Sequence, residues 1–228
     1  MKTTGGTDDQ KRRAGERAAE AVADGDVVGL GTGSTAAHAI RAIGEAVDAG
    51  LDVRGVPTSF DARRLARDAG IPLRSLDEVD GIDLAIDGAD RIDRDRTAIK
   101  GGGAAHAREK VVDAAADRFV VVADPSKIVD TLSHPVPVEV LPDAHAAVER
   151  EVAALDGEPT LRRAEAKDGP VVTDNGNLVL DCAFGRIDDP EGLARRLSPV
   201  PGVVEHGLFV NLVDTVYVGT DDGVDRLE

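Results

Sequence analysis

The chain has 228 residues, of which 42% are hydrophobic, so it can bury the core of one large domain or two modest ones. Its formal net charge of −16 would repel nucleic acid and anionic membranes, so we expect neither as a partner. The single cysteine, Cys182, excludes an internal disulfide, and no apolar stretch resembles a membrane span or a signal-peptide core, so we expect a cytoplasmic protein.

Acidic side chains are spread along the whole chain, and few of its 27 basic residues are lysine. An acidic excess of this kind is typical of a solvated surface and not of a binding tail. We therefore hypothesise that the protein works in a salt-rich cytosol.

Strand and helix signals alternate over the first 130 residues. The helices are indicated by apolar positions at helical spacing, with Ser or Thr at one start and Gly at several ends. Predicted helices cover 9–24, 34–50, 60–70 and 104–117, and predicted strands cover 27–31, 52–57, 83–87 and 118–124. This alternation indicates an α/β fold in which helices cover a parallel sheet.

The pattern changes from about residue 131. Strands are predicted at 136–141 and 203–210, helices at 143–155 and 188–197, and a hairpin of two strands at 171–184 around Asn175 and Gly176. These elements predict a small α+β domain at 131–204. The last segment, 214–224, can return to the first sheet, so we assign 1–130 with 205–228 to the large domain.

A glycine-rich turn, Gly29–Thr35, lies where the first predicted strand meets a helix. Backbone N–H groups and the hydroxyls of Thr32, Ser34 and Thr35 can hold a phosphate at such a helix start. A plain turn with an N-cap is the alternative. A P-loop is disfavoured because Gly33 stands where its lysine belongs, and a dinucleotide site is disfavoured because Val56–Thr58 lacks an acidic residue.

Two aspartates, Asp87 and Asp90, follow the predicted strand 83–87 with Gly88 and Ala89 between them. Ligands bind beyond the carboxyl ends of strands in open parallel sheets, and carboxylates suit sugar hydroxyls because they accept hydrogen bonds. A turn with an Asx cap is the alternative.

The segment Lys100–Lys110 begins with a lysine and three consecutive glycines, Gly101, Gly102 and Gly103. Consecutive glycines cost backbone entropy, which indicates a close approach of the main chain to a ligand. Lys100 suits a phosphate or an oxyanion, and Glu109 in the following helix suits a general base in a closed pocket. Ordinary surface roles for both residues are the alternative.

Lys127 follows the strand predicted at 118–124 and is expected at the same sheet edge. The five histidines, including His106 within the glycine motif, show no metal-ligand spacing, and no nucleophile elbow is present. We expect no metal and no cofactor.

Four motifs, GLGTGSTAAH, DGAD, KGGGAAHAREK and ADPSK, occur in an order and spacing that resemble the type A ribose-5-phosphate isomerase family. The resemblance extends to PVPVEVLP, VVTDNGNLVLD and PGVVEHGLF. It implies a Rossmann-like large domain, a small α+β domain, a sugar-phosphate substrate and a homodimer or homotetramer. Glu109 then corresponds to the general base. Lys100 corresponds to a residue that binds the substrate and also stabilises the enediolate. The positions implied to bind substrate are Thr32, Gly33, Ser34, Thr35, Asp87, Gly88, Ala89, Asp90, Lys100, Gly101, Gly102, Gly103 and Lys127.

Two other functions stay open at this point. A sugar-phosphate sensor can use a related fold without needing Glu109, and an acyl-CoA transferase would use a glutamate as nucleophile.

Overall fold

The computed structural model describes residues 5–228, and the first four residues of the polar N-terminal segment lie outside this description. The described chain forms two compact units. The first, here called the parallel unit, contains residues 5–89, Arg108–Ile128 and Asn211–Glu228. The second, here called the antiparallel unit, contains Asp90–Ala107 and Val129–Val210.

Residues 5–228 form six α-helices and thirteen β-strands. The helices are α1 (Asp8–Ala19), α2 (Ser34–Asp48), α3 (Phe60–Asp68), α4 (His106–Ala114), α5 (His145–Ala154) and α6 (Pro190–Leu197). The strands are β1 (Val27–Leu30), β2 (Arg54–Pro57), β3 (Leu84–Gly88), β4 (Arg91–Ile92), β5 (Ala98–Ile99), β6 (Phe119–Ala123), β7 (Val136–Val140), β8 (Glu158–Leu161), β9 (Leu178–Ala183), β10 (Val203–His206), β11 (Leu208–Phe209), β12 (Thr215–Gly219) and β13 (Val224–Leu227). No helix within the described range is long and apolar enough to cross a membrane.

The parallel unit is built on a six-stranded sheet in the order β13-β12-β6-β3-β1-β2. All neighbours pair in parallel except β13, which runs antiparallel to β12 at the edge. Every residue of β6 and β12 is buried, as expected for strands covered on both faces. The chain order reverses between β1 and β3, which is the position where open α/β sheets bind ligands. The predicted α/β class is confirmed, and the segment after residue 213 joins this sheet as predicted.

Helix α2 covers the sheet with a buried stripe at helical spacing. Ala36, Ala39, Ile40 and Ile43 pack into the same apolar cluster as Val28 of β1. Helix α1 begins at a capping box formed by Thr7 and Gln10. It ends at Ala19, so the predicted extension to residue 24 is wrong. The N–H groups of Ala21 and Val22 donate to carbonyls three residues earlier, which tightens the last turn and ends the helix.

The antiparallel unit contains a four-stranded sheet, β10-β7-β9-β8, and a three-stranded sheet, β11-β5-β4. All their pairings are antiparallel. Helices α5 and α6 contribute Val148, Val152, Leu193 and Leu197 to a core that also contains Leu180 of β9.

The predicted hairpin at 171–184 is only partly present. A turn forms before β9, but Val172 makes just an isolated bridge to Leu178, and β9 pairs instead with β7 and β8. Because β7 and β8 occupy both edges of β9, no edge is left for the segment before the turn. The turn itself folds around Glu139 of β7, whose buried Oε1 accepts from Thr173, Asn175 and Asn177 at 2.8 to 3.0 Å.

Two segments differ from the expected domain division. Residues Asp90–Ala107 lie in the antiparallel unit, because β5 pairs with β11 and Ile99 packs into that unit's core. The predicted strand at 203–210 is split into β10 and β11, which belong to different sheets, so the return to the parallel unit begins at Asn211 and not at residue 205.

Candidate active site

The glycine turn after β1 is fastened to the end of β3 in the parallel unit. Asp87 is fully buried, and its Oδ1 accepts the N–H of Thr32 at 2.9 Å and the N–H of Gly88 at 2.6 Å. A Cβ at Gly31 would lie 2.2 Å from Cγ of Asp87, so only glycine lets the two strand ends approach this closely. The predicted loop and the first predicted aspartate therefore meet at the point where the strand order reverses.

The hydroxyl of Thr32 contacts two residues that the sequence analysis did not select. Thr32 Oγ1 donates to Ser59 Oγ at 2.7 Å and lies 3.0 Å from Thr58 Oγ1. Ser59 also caps α3 by accepting the N–H of Ala62. The available signal was their position directly after β2. A dinucleotide-binding site has an acidic residue at this strand end to bind the ribose, whereas β2 is followed here by neutral hydroxyls.

Helix α2 begins directly after this turn. Its N-cap is Gly33, which offers no side-chain acceptor for the N–H groups of the first turn. Ser34 is exposed and Thr35 is buried. Free N–H groups, the positive end of the helix dipole and these hydroxyls together suit a phosphate.

Glu109 lies in the first turn of α4 and is 4% exposed. Its helix packs closely on β1, because a Cβ at Gly29 would lie 2.9 Å from Cγ1 of Val112. The neighbouring Arg108 lies over the exposed ring of Phe60, 5.1 Å from its centroid. A carboxylate removed from water to this degree is suited to accept a proton.

Lys127 ends a short 3₁₀ turn, Pro125–Lys127, that follows β6. The preceding Asp124 is fully buried and accepts the N–H of Ser126 at 2.9 Å, and the N–H of Lys127 donates to the Asp124 carbonyl at 3.0 Å. Lys127 itself is buried. Because β6 is the neighbour of β3, this cation lies at the same sheet edge as Asp87.

In the antiparallel unit, the glycine segment approaches the second predicted aspartate. The N–H of Gly102 donates to Asp90 Oδ2 at 2.6 Å, and a Cβ on Gly102 would lie 2.4 Å from Asp90 Oδ1. Lys100 is 2% exposed, with its ammonium 5.2 Å from the ring centroid of Phe209. A lysine buried beside an aromatic ring is removed from water, unlike an ordinary surface lysine.

His106 is fully buried, and its Nε2 lies 3.3 Å from the carbonyl of Glu205. Across residues 5–228, no three or more His, Cys, Asp or Glu side chains are grouped so that they could hold a metal ion.

The predicted site residues therefore divide between the two units. The parallel unit carries Thr32, Gly33, Ser34, Thr35, Asp87, Gly88, Ala89, Glu109 and Lys127. The antiparallel unit carries Asp90, Lys100, Gly101, Gly102 and Gly103.

Comparison with known proteins gives a consistent result. Residues 54–223 match the family model "Ribose 5-phosphate isomerase A (phosphoriboisomerase A)". The chain is 67% identical to the ribose-5-phosphate isomerase A of Natronomonas pharaonis over 225 residues, 99% of each chain. It is similar to the structure of ribose 5-phosphate isomerase A from Methanocaldococcus jannaschii, with a TM-score of 0.94 and 45% identity over 98% of this chain and all of the other. A second structure, a D-ribose-5-phosphate isomerase in complex with phospho-erythronic acid, gives a TM-score of 0.95 and 44% identity over the same shares. These relatives do not favour a sensor.

Proposed function

Because the chain belongs to the ribose 5-phosphate isomerase A family, we propose that Glu109 is the base that moves the proton in its reaction. The chain is an aldose–ketose isomerase that interconverts D-ribose 5-phosphate and D-ribulose 5-phosphate. The observation that carries the role of Glu109 is its burial in the first turn of α4, on a helix that packs directly on β1.

The reaction needs one base and one stabiliser of negative charge. After the sugar ring opens, Glu109 removes the proton from C2 of the aldose, and the C1 oxygen gains negative charge. The hydroxyl proton on O2 moves to the C1 oxygen, and the same carboxyl group returns the carbon-bound proton to C1, which leaves a carbonyl at C2 and gives the ketose. Lys100 stabilises the enediolate, because a buried cation acts strongly on a charge that develops in a site of low dielectric.

The remaining residues bind the substrate. Asp87 and Asp90 accept hydrogen bonds from sugar hydroxyls, while Gly88, Ala89 and Gly101–Gly103 present main chain to the sugar. The turn at 32–35 and Lys127 bind the phosphate. Two features at one edge of the parallel sheet support this phosphate site. They are the N–H groups at the start of α2, which no side chain caps, and the buried Lys127.

We also propose that the enzyme acts in the cytoplasm as a homodimer or homotetramer, without a metal or cofactor. The family resemblance supports the oligomer, and light scattering coupled to gel filtration tests it. Turnover in excess chelator tests the metal-free reaction. Loss of activity that a divalent ion restores would contradict it.

The decisive experiment follows proton transfer in heavy water. Ribose 5-phosphate is mixed with the protein, and ketose formation and deuterium uptake at the reacting carbon are measured for the wild type and for Glu109→Gln. We expect the substitution to lower turnover by at least about 10²-fold, because an amide cannot accept the proton.

The matched control is Glu45→Gln, which removes an exposed carboxylate from α2. It is expected to retain wild-type turnover. Persistent turnover in Glu109→Gln would overturn the assigned role. A thioester formed on Glu109 with coenzyme A would instead support a transferase.

A further inference from the structure

The carbonyls of Gly101 and Gly102 are held by the arginine that directly follows β8. Arg162 is 8% exposed, and its Nη1 donates to the carbonyls of Gly101 at 2.8 Å and Gly102 at 3.2 Å. Buried arginines are rare unless their charge is paired and their donors are satisfied.

Asp181 of β9 pairs with the other edge of the guanidinium group. Arg162 Nε donates to Asp181 Oδ2 at 2.9 Å, and Nη2 donates to Oδ1, so the ion pair is bidentate. The main chain fixes the base of the side chain, because the N–H of Arg162 donates to the carbonyl of Val179 at 2.9 Å. The guanidinium plane consequently has one orientation relative to the sheet.

One peptide unit connects this ion pair to the proposed sugar-binding carboxylate. The carbonyl of Gly101 and the N–H of Gly102 belong to the same peptide plane and point in opposite directions. Arg162 holds the carbonyl, and Asp90 accepts the N–H at 2.6 Å. Asp181, Arg162, the Gly101–Gly102 peptide and Asp90 thus form a continuous hydrogen-bonded chain in which each member orients the next.

The Gly101–Gly102 peptide needs an external contact to fix its orientation, because both of its residues are glycine. A peptide flanked by two glycines has a wide choice of conformations, and its N–H could turn away from Asp90 at little steric cost. A rigid donor on the carbonyl side removes that freedom.

We propose that Arg162, fixed by Asp181, is a positioning residue for the isomerase reaction, because it sets the Gly101–Gly102 peptide that orients Asp90 toward a sugar hydroxyl. This inference rests on the proposed role of Asp90 in substrate binding. It assigns a functional reason to a buried ion pair that otherwise only joins β8 to β9.

A double-mutant cycle tests the coupling. KM and kcat for ribose 5-phosphate are measured for the wild type, Arg162→Ala, Asp90→Ala and the double variant. We expect each single substitution to raise KM by about 10- to 100-fold, the loss typical of a hydrogen bond to a charged group, with a smaller change in kcat. The double variant is expected to resemble Asp90→Ala, because Arg162 acts through that residue.

Two further variants separate positioning from folding. Arg162→Lys keeps the positive charge but lacks the planar fork that pairs bidentately with Asp181 while it also donates to two carbonyls, so it is expected to raise KM like Arg162→Ala while retaining the fold by circular dichroism. It replaces Arg162→Ala in the cycle if the alanine variant does not fold. Arg64→Lys, in an exposed ion pair with Asp61 and Asp68, is the control and is expected to leave KM unchanged.

The outcomes are distinguishable. Suppose that Asp90→Ala raises KM and that the double variant raises it by the product of the two single effects. The positioning role is then overturned, while the role of Asp90 stands. If Asp90→Ala has wild-type KM and kcat, the proposed role of Asp90 fails and the inference fails with it. A wild-type KM for a folded Arg162→Lys also overturns the inference.

Discussion

The carboxylate of Asp87 accepts the backbone N–H of Thr32 at 2.9 Å, which joins the end of β3 to the turn that follows β1. Since the same oxygen also accepts the N–H of Gly88, one buried carboxylate shapes two loops at the edge of the parallel sheet. The proposed contact of Asp87 with the sugar therefore depends on the same side chain that shapes the turn.

Replacement of Asp87 by alanine is expected to impair both binding and stability. Two N–H groups lose their acceptor, at about 1 to 3 kcal/mol for each one left unsatisfied, and the sugar loses a hydroxyl partner. Asp87→Asn retains an acceptor oxygen and should be less destabilised. The measurements are KM and the free energy of unfolding in urea. A wild-type KM in Asp87→Ala would contradict the proposed contact with substrate.

Substitution of Gly31 tests the close approach of the two strand ends. The Cβ of Gly31→Ala would lie 2.2 Å from Cγ of Asp87, so the carboxylate must move. We expect a loss of about 1 to 3 kcal/mol from overpacking, together with at least a tenfold fall in kcat/KM. Gly81→Ala is the matched control, because its Cβ meets no atom within 4 Å. Similar effects of both substitutions would mean that the fit against Asp87 is unimportant.

The sequence predicted the residues of the parallel sheet edge because they stand at the ends of strands or shortly after them. Gly31 and Asp87 stand at the ends of β1 and β3, and Lys127 comes soon after β6, so a parallel sheet is enough to bring their loops to one edge. The role of Glu109 was suggested by its motif, while its burial depends on the packing of α4 at Gly29.

Arg162 could not be predicted in the same way. It stands among other charged residues, and the partners of its side chain are 19 to 61 positions away in the chain. Only the register of β8 against β9 brings it to Asp181. The hairpin prediction was only partly right for a related reason, since an Asn-Gly turn gives no sign that β7 and β8 occupy both edges of the strand that follows it.

Salt is expected to raise the melting temperature. A formal net charge of −16 produces self-repulsion, and the screening length falls from about 30 Å at 0.01 M salt to about 3 Å at 1 M. Exposed ion pairs such as Arg64 with Asp61 contribute little and do not reverse this trend. Thermal unfolding followed by circular dichroism in 0.05 to 3 M KCl measures the effect. A melting temperature that stays constant would remove the basis for a high-salt adaptation.

The thiol of Cys182 should be inert in the folded protein. It is fully buried in β9, and burial raises its pKa to about 12. At pH 8 the thiolate fraction is then only about 10⁻⁴, and the thiolate is the reactive form. Ellman's reagent is expected to release no chromophore from the native protein and one equivalent after unfolding in guanidinium. Rapid labelling of the native enzyme would show that β9 is accessible.

Acid is expected to weaken the ion pair between Asp181 and Arg162. Burial acts to raise the pKa of Asp181, but the hydrogen bonds and positive charge of Arg162 outweigh it, so the folded-state pKa lies below its ordinary value of 3.8. A carboxylate with a lowered folded-state pKa stabilises the protein above its unfolded-state pKa, and this contribution is lost as the pH falls through the folded-state value. Near neutral pH, Asp181→Asn should therefore unfold about 3 kcal/mol more easily than the wild type, because it leaves Arg162 buried without its counter-ion. That difference should shrink once the pH falls below about 4.

Urea unfolding at constant salt between pH 7 and pH 3 measures both values, with Asp61→Asn at the surface as the control. If the stability gap between the wild type and Asp181→Asn had the same size at pH 3 as at pH 7, ionisation of Asp181 would not be what holds the pair together.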